Sequence, residues 1–327
     1  MLTRDYLLFF EGSEKKAEII IDAKQISLLD DLAEDFWLAL VQCCNAQILS
    51  MIENDDCKAF LLSESSLFVW HDRLLILTCG NTRLVHSVQY FIDHIGLNKI
   101  QQITYQRKNE YFAHAQLSSF GDDIALLGQN VKGKAYRFGE LDGHHNYIFH
   151  QDNNFQVSAE DKSYELIAYQ ICQQASKKLT TVGLISEEIR QFLQLDRLLS
   201  GFILDDFVFK PFGYSINAIK GMHYFTIHIT PQANSSYVSI QANINLLALI
   251  PDFLTILAPK SIDLLSFNEF EFSELTTQYM PKNYISKSLF QQQLSNNYLV
   301  CFANYIQPQH TFSQAEALDL KGKQHAL

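Results

Sequence analysis

No stretch of this chain approaches the run of ~18 apolar residues that a bilayer-spanning helix requires, so no helical membrane anchor is expected. The start, Met1-Leu2-Thr3-Arg4-Asp5, also lacks the basic and apolar regions of a signal peptide, which makes the cytosol the expected compartment. Basic residues are scarce: 25 Lys and Arg stand against 36 Asp and Glu, a formal net charge of −11, and the longest basic clusters are Lys15-Lys16 and Lys177-Lys178. A nucleic-acid partner would need a basic stripe to neutralise phosphates, and none is present. Cysteine is sparse as well. Cys43, Cys44, Cys57, Cys79, Cys172 and Cys301 show no C-x-x-C spacing, so free thiols are expected rather than a disulfide framework or a zinc site. The pair His144-His145 follows the turn signal Asp142-Gly143 and has no second ligand cluster nearby, so it reads as a surface turn and not as a metal site.

What is present is the composition of a globular protein, with 47% hydrophobic and 19% charged residues. Its 327 residues can form one large core or two stacked ones. Strands are predicted at Tyr6–Phe10, Ala17–Ile21, Gln47–Ile52, Ala59–Leu62, Leu67–Trp70 and Leu74–Thr78, with a helix carried by Leu28, Leu32, Phe36 and Leu40. A second helix, Val85–Ile95, should stop at Gly96, and a third lies near Asp122–Leu127. Strands at Ile100–Tyr105, Ala135–Phe138 and Tyr147–His150 complete the first half. After the polar stretch Gln151–Ser158 the pattern restarts: a helix over Tyr164–Ser176, strands at Gly201–Phe209, Gly213–Asn217, Tyr224–Thr230 and Tyr237–Ile244, and a helix over Asn245–Leu257 interrupted at Pro251. Ile262–Phe272 and Tyr298–Tyr305 read as late strands, and the tail from 308 to 327 as loose. Hairpin-linked strands with helices between the groups predict an α+β fold of two mainly antiparallel sheets, built from two similar half-units.

One polar tetrad stands out inside apolar flanks. Leu62-Ser63-Glu64-Ser65-Ser66-Leu67 puts small hydroxyl residues between two predicted strands. Such clusters are usually ordinary turns. A serine in a strained turn has a second option, since its Oγ can attack the preceding carbonyl and convert the peptide into an ester. Four other stretches bear on the choice: Phe10-Glu11-Gly12-Ser13-Glu14, Thr78-Cys79-Gly80, Phe209-Lys210-Pro211-Phe212-Gly213-Tyr214-Ser215 and Ile227-His228-Ile229-Thr230-Pro231. Together with the tetrad, in this order, they resemble the eukaryotic-type S-adenosylmethionine decarboxylase proenzymes, pyruvoyl enzymes of polyamine biosynthesis. The resemblance runs from about Phe10 to Tyr305 and is thin in the last third.

The resemblance implies a four-layer αββα sandwich forming one decarboxylase domain over 1–327. It implies autocatalytic cleavage of this zymogen at Glu64–Ser65 into a β chain, 1–64, and an α chain, 65–327. Ser65 would become the pyruvoyl group, the only cofactor, which forms a Schiff base with the substrate amine; no metal or pyridoxal phosphate is called for. Ser215 and His228 match the family's oxyanion donor and base in processing. Cys79 matches the proton donor, and a thiol with an ordinary pKa of about 8.5 is mostly protonated at neutral pH. Glu11 and Glu14 match residues of processing and the active site. Without the resemblance they are a solvated hairpin tip, and a buried carboxylate there would need a partner. Phe10 and Phe209 match the two rings that sandwich the adenine, and Glu64 also belongs to the substrate site. Gln232 departs from the family, where a glutamate accepts hydrogen bonds from the ribose. Glutamine keeps one acceptor oxygen and loses the charge.

A further departure concerns regulation. Animal members of the family bind putrescine between the sheets; here Lys15, Glu18 and Arg107 are kept, but Leu77 and Gln241 stand where a lysine and a glutamate are usual. Lys177 aligns near the pocket's aspartate and would supply a built-in cation, so no strong putrescine stimulation is expected. Two other functions fit the same residues less fully. One is a pyruvoyl decarboxylase of ornithine or arginine, which Gln232 leaves open; the other is an unprocessed regulatory paralogue, which the retention of Glu64, Ser65, Cys79, Ser215 and His228 opposes. Both monomers and homodimers occur in the family.

Overall fold

The computed structural model describes residues 14–110, 112–232, 236–309 and 312. Two eight-stranded antiparallel sheets form its centre. The first contains β1 (Lys15–Ile21), β2 (Ile48–Glu53), β3 (Cys57–Leu62), β4 (Ser65–Trp70), β5 (Arg73–Thr78), β6 (Ile100–Lys108), β7 (Gly133–Gly139) and β8 (His145–Gln151). The second contains β9 (Ser163–Tyr169), β10 (Ile203–Val208), β11 (Tyr214–Lys220), β12 (His223–Thr230), β13 (Tyr237–Ala242), β14 (Ser261–Phe267), β15 (Ile285–Gln293) and β16 (Leu299–Ile306). Their orders are β2-β3-β4-β5-β1-β6-β8-β7 and β10-β11-β12-β13-β9-β14-β16-β15. The second order repeats the first strand for strand, which is the duplication expected from the two half-patterns.

Alternation along each strand explains the layers. In β1, Ala17, Ile19 and Ile21 pack beneath α1 (Glu34–Cys43), α2 (Leu84–Ile95) and α3 (Phe120–Leu127), while Lys16 and Glu18 point to the other face. In β9, Tyr164, Leu166 and Ala168 likewise meet α4 (Gln173–Leu179), α5 (Ser186–Leu193), α6 (Leu195–Leu198), α7 (Ile250–Leu257) and α8 (Phe272–Tyr279). The result is a four-layer αββα sandwich. On α2 the buried row Leu84, Val88, Phe91, Ile92 and Ile95 recurs at helical spacing, each such side chain contributing about 1.5–3 kcal/mol. Gly96, at φ +88, then ends the helix in a conformation that a side chain would strain.

Between the sheets lie two apolar clusters. Phe68, Trp70, Leu75 and Leu77 meet Ile219 and Tyr224 in one, and Phe138 and Ile148 meet Leu265, Phe267, Tyr298 and Phe302 in the other. The strip separating them is polar, and one ion-pair group in it bridges the gap. Arg73 pairs with Glu18 at 3.3 Å and with Asp161 at 2.6 Å.

Several expectations change in the folded chain. Tyr164–Ser176 is not one helix: residues 163–169 form β9, a central strand between β13 and β14, and α4 starts only at Gln173. Its apolar run suits either period, and pairing on both edges settles it. The helix carried by Leu28 to Leu40 begins at Glu34, and the strand from Ile262 ends at Phe267, with Phe272 opening α8. Pro251 sits in the first turn of α7, where its missing N–H costs nothing. The edge strand β15 and the helices α5 and α6 have no counterpart in the sequence reading; β15 is mostly exposed and ends Gln291-Gln292-Gln293, so it carries little apolar alternation. His144-His145 is not a surface turn. His145 is buried at the start of β8, and His144 Nδ1 lies 2.9 Å from Asp263 Oδ1 of the opposite sheet, because the β7–β8 link folds against β14. The strand expected at Tyr6–Phe10 and the tail at 310–311 and 313–327 lie outside the described residues. Among the described residues no helix is long and apolar enough to cross a membrane.

Candidate active site

The serine tetrad folds as a tighter hairpin than its composition suggests. Leu62 pairs with Ser65, so only Ser63 and Glu64 form the turn, and Ser65 and Ser66 open β4. Ser63 fastens the turn to Gln47, donating its N–H to the Gln47 carbonyl at 2.8 Å while its Oγ accepts the Gln47 N–H at 3.0 Å. Ser65 then takes φ +147, a conformation that L-residues avoid and that costs of order 1–3 kcal/mol. The strain falls on the residue the sequence singled out.

Both sides of the Glu64–Ser65 bond are held. On the carbonyl side, the Glu64 oxygen accepts the Cys79 backbone N–H at 2.9 Å and lies 3.3 Å from the Cys79 thiol, two donors aimed at one oxygen. On the serine side, the buried Ser65 Oγ lies 2.9 Å from His228 Nε2. Ser215 is paired with His228 across β11 and β12, and its Oγ lies 2.8 Å from His228 Nδ1. The hydroxyl of Ser215 is therefore placed on the histidine, and the Glu64 carbonyl belongs to Cys79. This follows from register: β4 and β5 pair Ser65 with Thr78, which brings the first N–H after β5 opposite the turn carbonyl.

Burial sets the protonation states. Loss of water contact drives the His228 pKa down to about 3, so the ring is neutral at physiological pH. Of its two neutral tautomers, the one donating from Nδ1 to Ser215 presents a lone pair at Nε2 to Ser65. Desolvation, reinforced by the charges of Glu64 and Glu14, pushes the Cys79 thiol up to about 12. It therefore holds its proton more firmly than an unperturbed thiol. Burial raises the Glu64 carboxyl, against the pull of Lys15. Lys15 is itself buried and lowered to about 8 by desolvation and by Arg107, and its Nζ donates to the Gly80 carbonyl at 2.9 Å.

Glu14 has the partners that a buried carboxylate requires. It reaches across the sandwich to accept the Tyr237 hydroxyl at 2.5 Å and the Gln241 amide. Phe209 follows β10, bonded through its N–H to the Gly213 carbonyl at 2.9 Å, with Phe207 edge-on at 4.9 Å. Gly213, at φ +148, makes the return to Ser215. Gln232 follows β12, its backbone carbonyl held by the hydroxyls of Ser176 and Ser236 at 2.7 and 2.8 Å. Phe10 and Glu11 lie outside the described residues. Lys177 is exposed on α4, which packs on the helix side of the second sheet, so it cannot serve the inter-sheet strip as a built-in cation. Lys15 and Arg107 also face away from the strip, Arg107 pairing with Asp123 of α3 at 2.6 Å.

Four residues around this site were not singled out from sequence: Ser66, Asn217, Thr226 and Tyr237. The available signal was a polar residue recurring every second position in otherwise apolar strands, as in Ser215-Ile216-Asn217 and Thr226-Ile227-His228.

Comparison with known proteins shows the family and the fold. The family model described as adenosylmethionine decarboxylase matches residues 8–306. The S-adenosylmethionine decarboxylase proenzyme of Leishmania donovani is 33% identical over 251 residues, covering 72% of this chain and 66% of that protein. That of Trypanosoma cruzi is 33% identical over 253 residues, with 72% and 68% covered, and that of Xenopus laevis 28% identical over 257, with 73% and 76% covered. The match thus spans about two thirds of the length of the trypanosomatid relatives. A solved Trypanosoma brucei AdoMetDC-delta26 monomer shares the fold, with a TM-score of 0.58 at 22% identity over 74% of this chain and 99% of that one.

Proposed function

Because this chain belongs to the adenosylmethionine decarboxylase family, we propose that it is a proenzyme that cleaves itself between Glu64 and Ser65 and then decarboxylates S-adenosylmethionine in the cytosol, supplying the aminopropyl donor of spermidine synthesis. The observation that carries this reading is the Glu64–Ser65 bond itself: a strained serine, 2.9 Å from a neutral histidine, next to a carbonyl that two donors already hold. Ser65 Oγ adds to the Glu64 carbonyl carbon as its proton passes to His228 Nε2, and the Cys79 N–H and thiol take the charge that develops on oxygen. Breakage of the C–N bond returns the proton to nitrogen and leaves Glu64 esterified to Ser65. Removal of the Ser65 α-proton then expels Glu64 as a carboxylate, and hydrolysis of the resulting enamine by water, with loss of ammonia, gives the pyruvoyl group.

The residues present fit that group, since position 65 is buried at the start of a strand with its histidine and thiol in place. When formed, the pyruvoyl group supplies the electron sink for loss of carbon dioxide. Cys79, protonated well beyond neutral pH, holds the proton that the substrate carbon must receive. Phe209, with Phe10, offers an aromatic face to the adenine, and Gln232 offers one amide oxygen to the ribose. No metal or pyridoxal phosphate enters this reading.

The test is a denaturing gel with mass spectrometry, followed by carbon dioxide release from carboxyl-labelled substrates. Fragments of 64 and 263 residues are expected, the larger ending in a carbonyl, with S-adenosylmethionine turned over in preference to ornithine or arginine. A chain that stays whole, or that prefers one of the other amino acids, would overturn the proposal.

Putrescine is expected to change the rate by less than about twofold, against the 5- to 150-fold range of ordinary allosteric coupling. The support is that Glu18 and Asp161 are already paired with Arg73, and that Lys16 and Lys108 lie in the field of Glu165. A titration giving severalfold activation refutes this.

A further inference from the structure

His228 Nε2 is surrounded by three hydroxyls. Ser65 Oγ lies at 2.9 Å, Thr226 Oγ1 at 3.0 Å and Ser66 Oγ at 3.2 Å. A single lone pair accepts one good hydrogen bond, so geometry around the ring does not by itself choose Ser65 over its neighbour. The choice lies one residue further in. Asn217 Oδ1 accepts the Ser66 hydroxyl at 2.5 Å and the Thr226 hydroxyl at 3.1 Å. The shorter distance belongs to an O–H···O bond and is too short for N–H···O, which orients the amide with its oxygen toward the two hydroxyls. Each hydroxyl has one proton, and both are thereby committed away from the histidine.

Asn217 is fully buried on β11, and its Nδ2 has no hydrogen-bond partner. Leaving a buried N–H unpaired lowers stability, a cost that an apolar side chain in this strand would avoid. The polar side chain therefore needs a reason beyond packing. Resting on the self-cleavage reading, we propose that Asn217 is a positioning residue for processing: it occupies the protons of Ser66 and Thr226 and so reserves His228 Nε2 for Ser65.

The test follows fragment formation by the full-length precursor on denaturing gels over time. Asn217→Ala is expected to slow cleavage about tenfold, the equivalent of one misdirected hydrogen bond. Adding Ser66→Ala and Thr226→Val to that variant removes the competing hydroxyls and is expected to restore the rate to within about threefold of the parent, a non-additive rescue. A residue that merely supports the fold would not be rescued by two further core substitutions. Asn217→Asp, which keeps the acceptor oxygens, should cleave to completion, and it carries the test if the alanine variant fails to fold. The proposal is overturned if Asn217→Ala cleaves at the parent rate, if the triple variant is no faster than the single one, or if a folded Asn217→Asp chain stays whole. Should the parent chain itself yield no fragments, the self-cleavage reading falls first, and this proposal with it.

Discussion

A Ser65→Ala chain is expected to run as one band of 327 residues and to release carbon dioxide from S-adenosylmethionine about 10^4-fold more slowly than the parent, or not at all. The effect is large because one side chain serves twice. In the proposed mechanism its oxygen is the nucleophile of cleavage and what remains of the residue is the electron sink of catalysis, so no other group can take over either task. The fold should survive. Alanine keeps the Cβ and hence the strained φ, and the variant loses only the bond to His228, worth about 0.5–1.5 kcal/mol. Circular dichroism and a Tm within a few degrees of the parent would separate loss of chemistry from loss of structure. A Ser65→Ala chain that still splits after Glu64, or that turns over substrate, would rule out residue 65 as both nucleophile and electron sink.

The second large effect is expected at His228. Replacement by alanine removes the proposed base, and fragment formation should slow by about 10^2- to 10^4-fold, the usual range for a positioned general base. The pH dependence of the parent gives an independent check. Because burial holds the imidazole pKa near 3, the base form persists on acidification, and cleavage between pH 8 and pH 5 should be nearly flat. A histidine at its ordinary pKa of about 6.5 would instead lose roughly thirtyfold of its base form at pH 5. Precursor held at each pH and sampled over time distinguishes the two curves. A steep fall below pH 6.5 would mean that water reaches His228 and that the site is not desolvated.

Residue types marked a turn at residues 63–66, and the resemblance to a known family pointed to the bond after Glu64, while the φ of +147 at Ser65 appeared only in the folded chain. The Ser-Glu-Ser-Ser run between apolar flanks marked a turn, and the matching stretches around Cys79, Ser215 and His228 pointed to a shared site. Which of them touch emerged only from register. Pairing Ser65 with Thr78 brings Cys79 beneath the Glu64 carbonyl, and pairing Ser215 with His228 puts that hydroxyl on the ring. Glu14 shows the same dependence. As part of a charge run it read as a solvated tip, yet it is buried and bonded to Tyr237 on the opposite sheet, more than two hundred residues along the chain. Lys177 shows the converse, a lysine assigned to the interior by alignment that the helix layer leaves exposed.

Strand periodicity and the restart after Ser158 were enough to predict two mainly antiparallel sheets from two similar half-units, because alternation and turn chemistry are local properties carried by neighbouring residues. They failed where a segment suited two periods, as at Tyr164–Tyr169, or carried little apolar pattern, as at β15. Only the stacking of one sheet on the other decided that β4 meets β11 and β12, that Ser65 faces His228, and that His228 is dry enough to stay neutral. These depend on contacts between residues about 150 positions or more apart, and on the water that such contacts exclude, neither of which any short stretch of residues encodes.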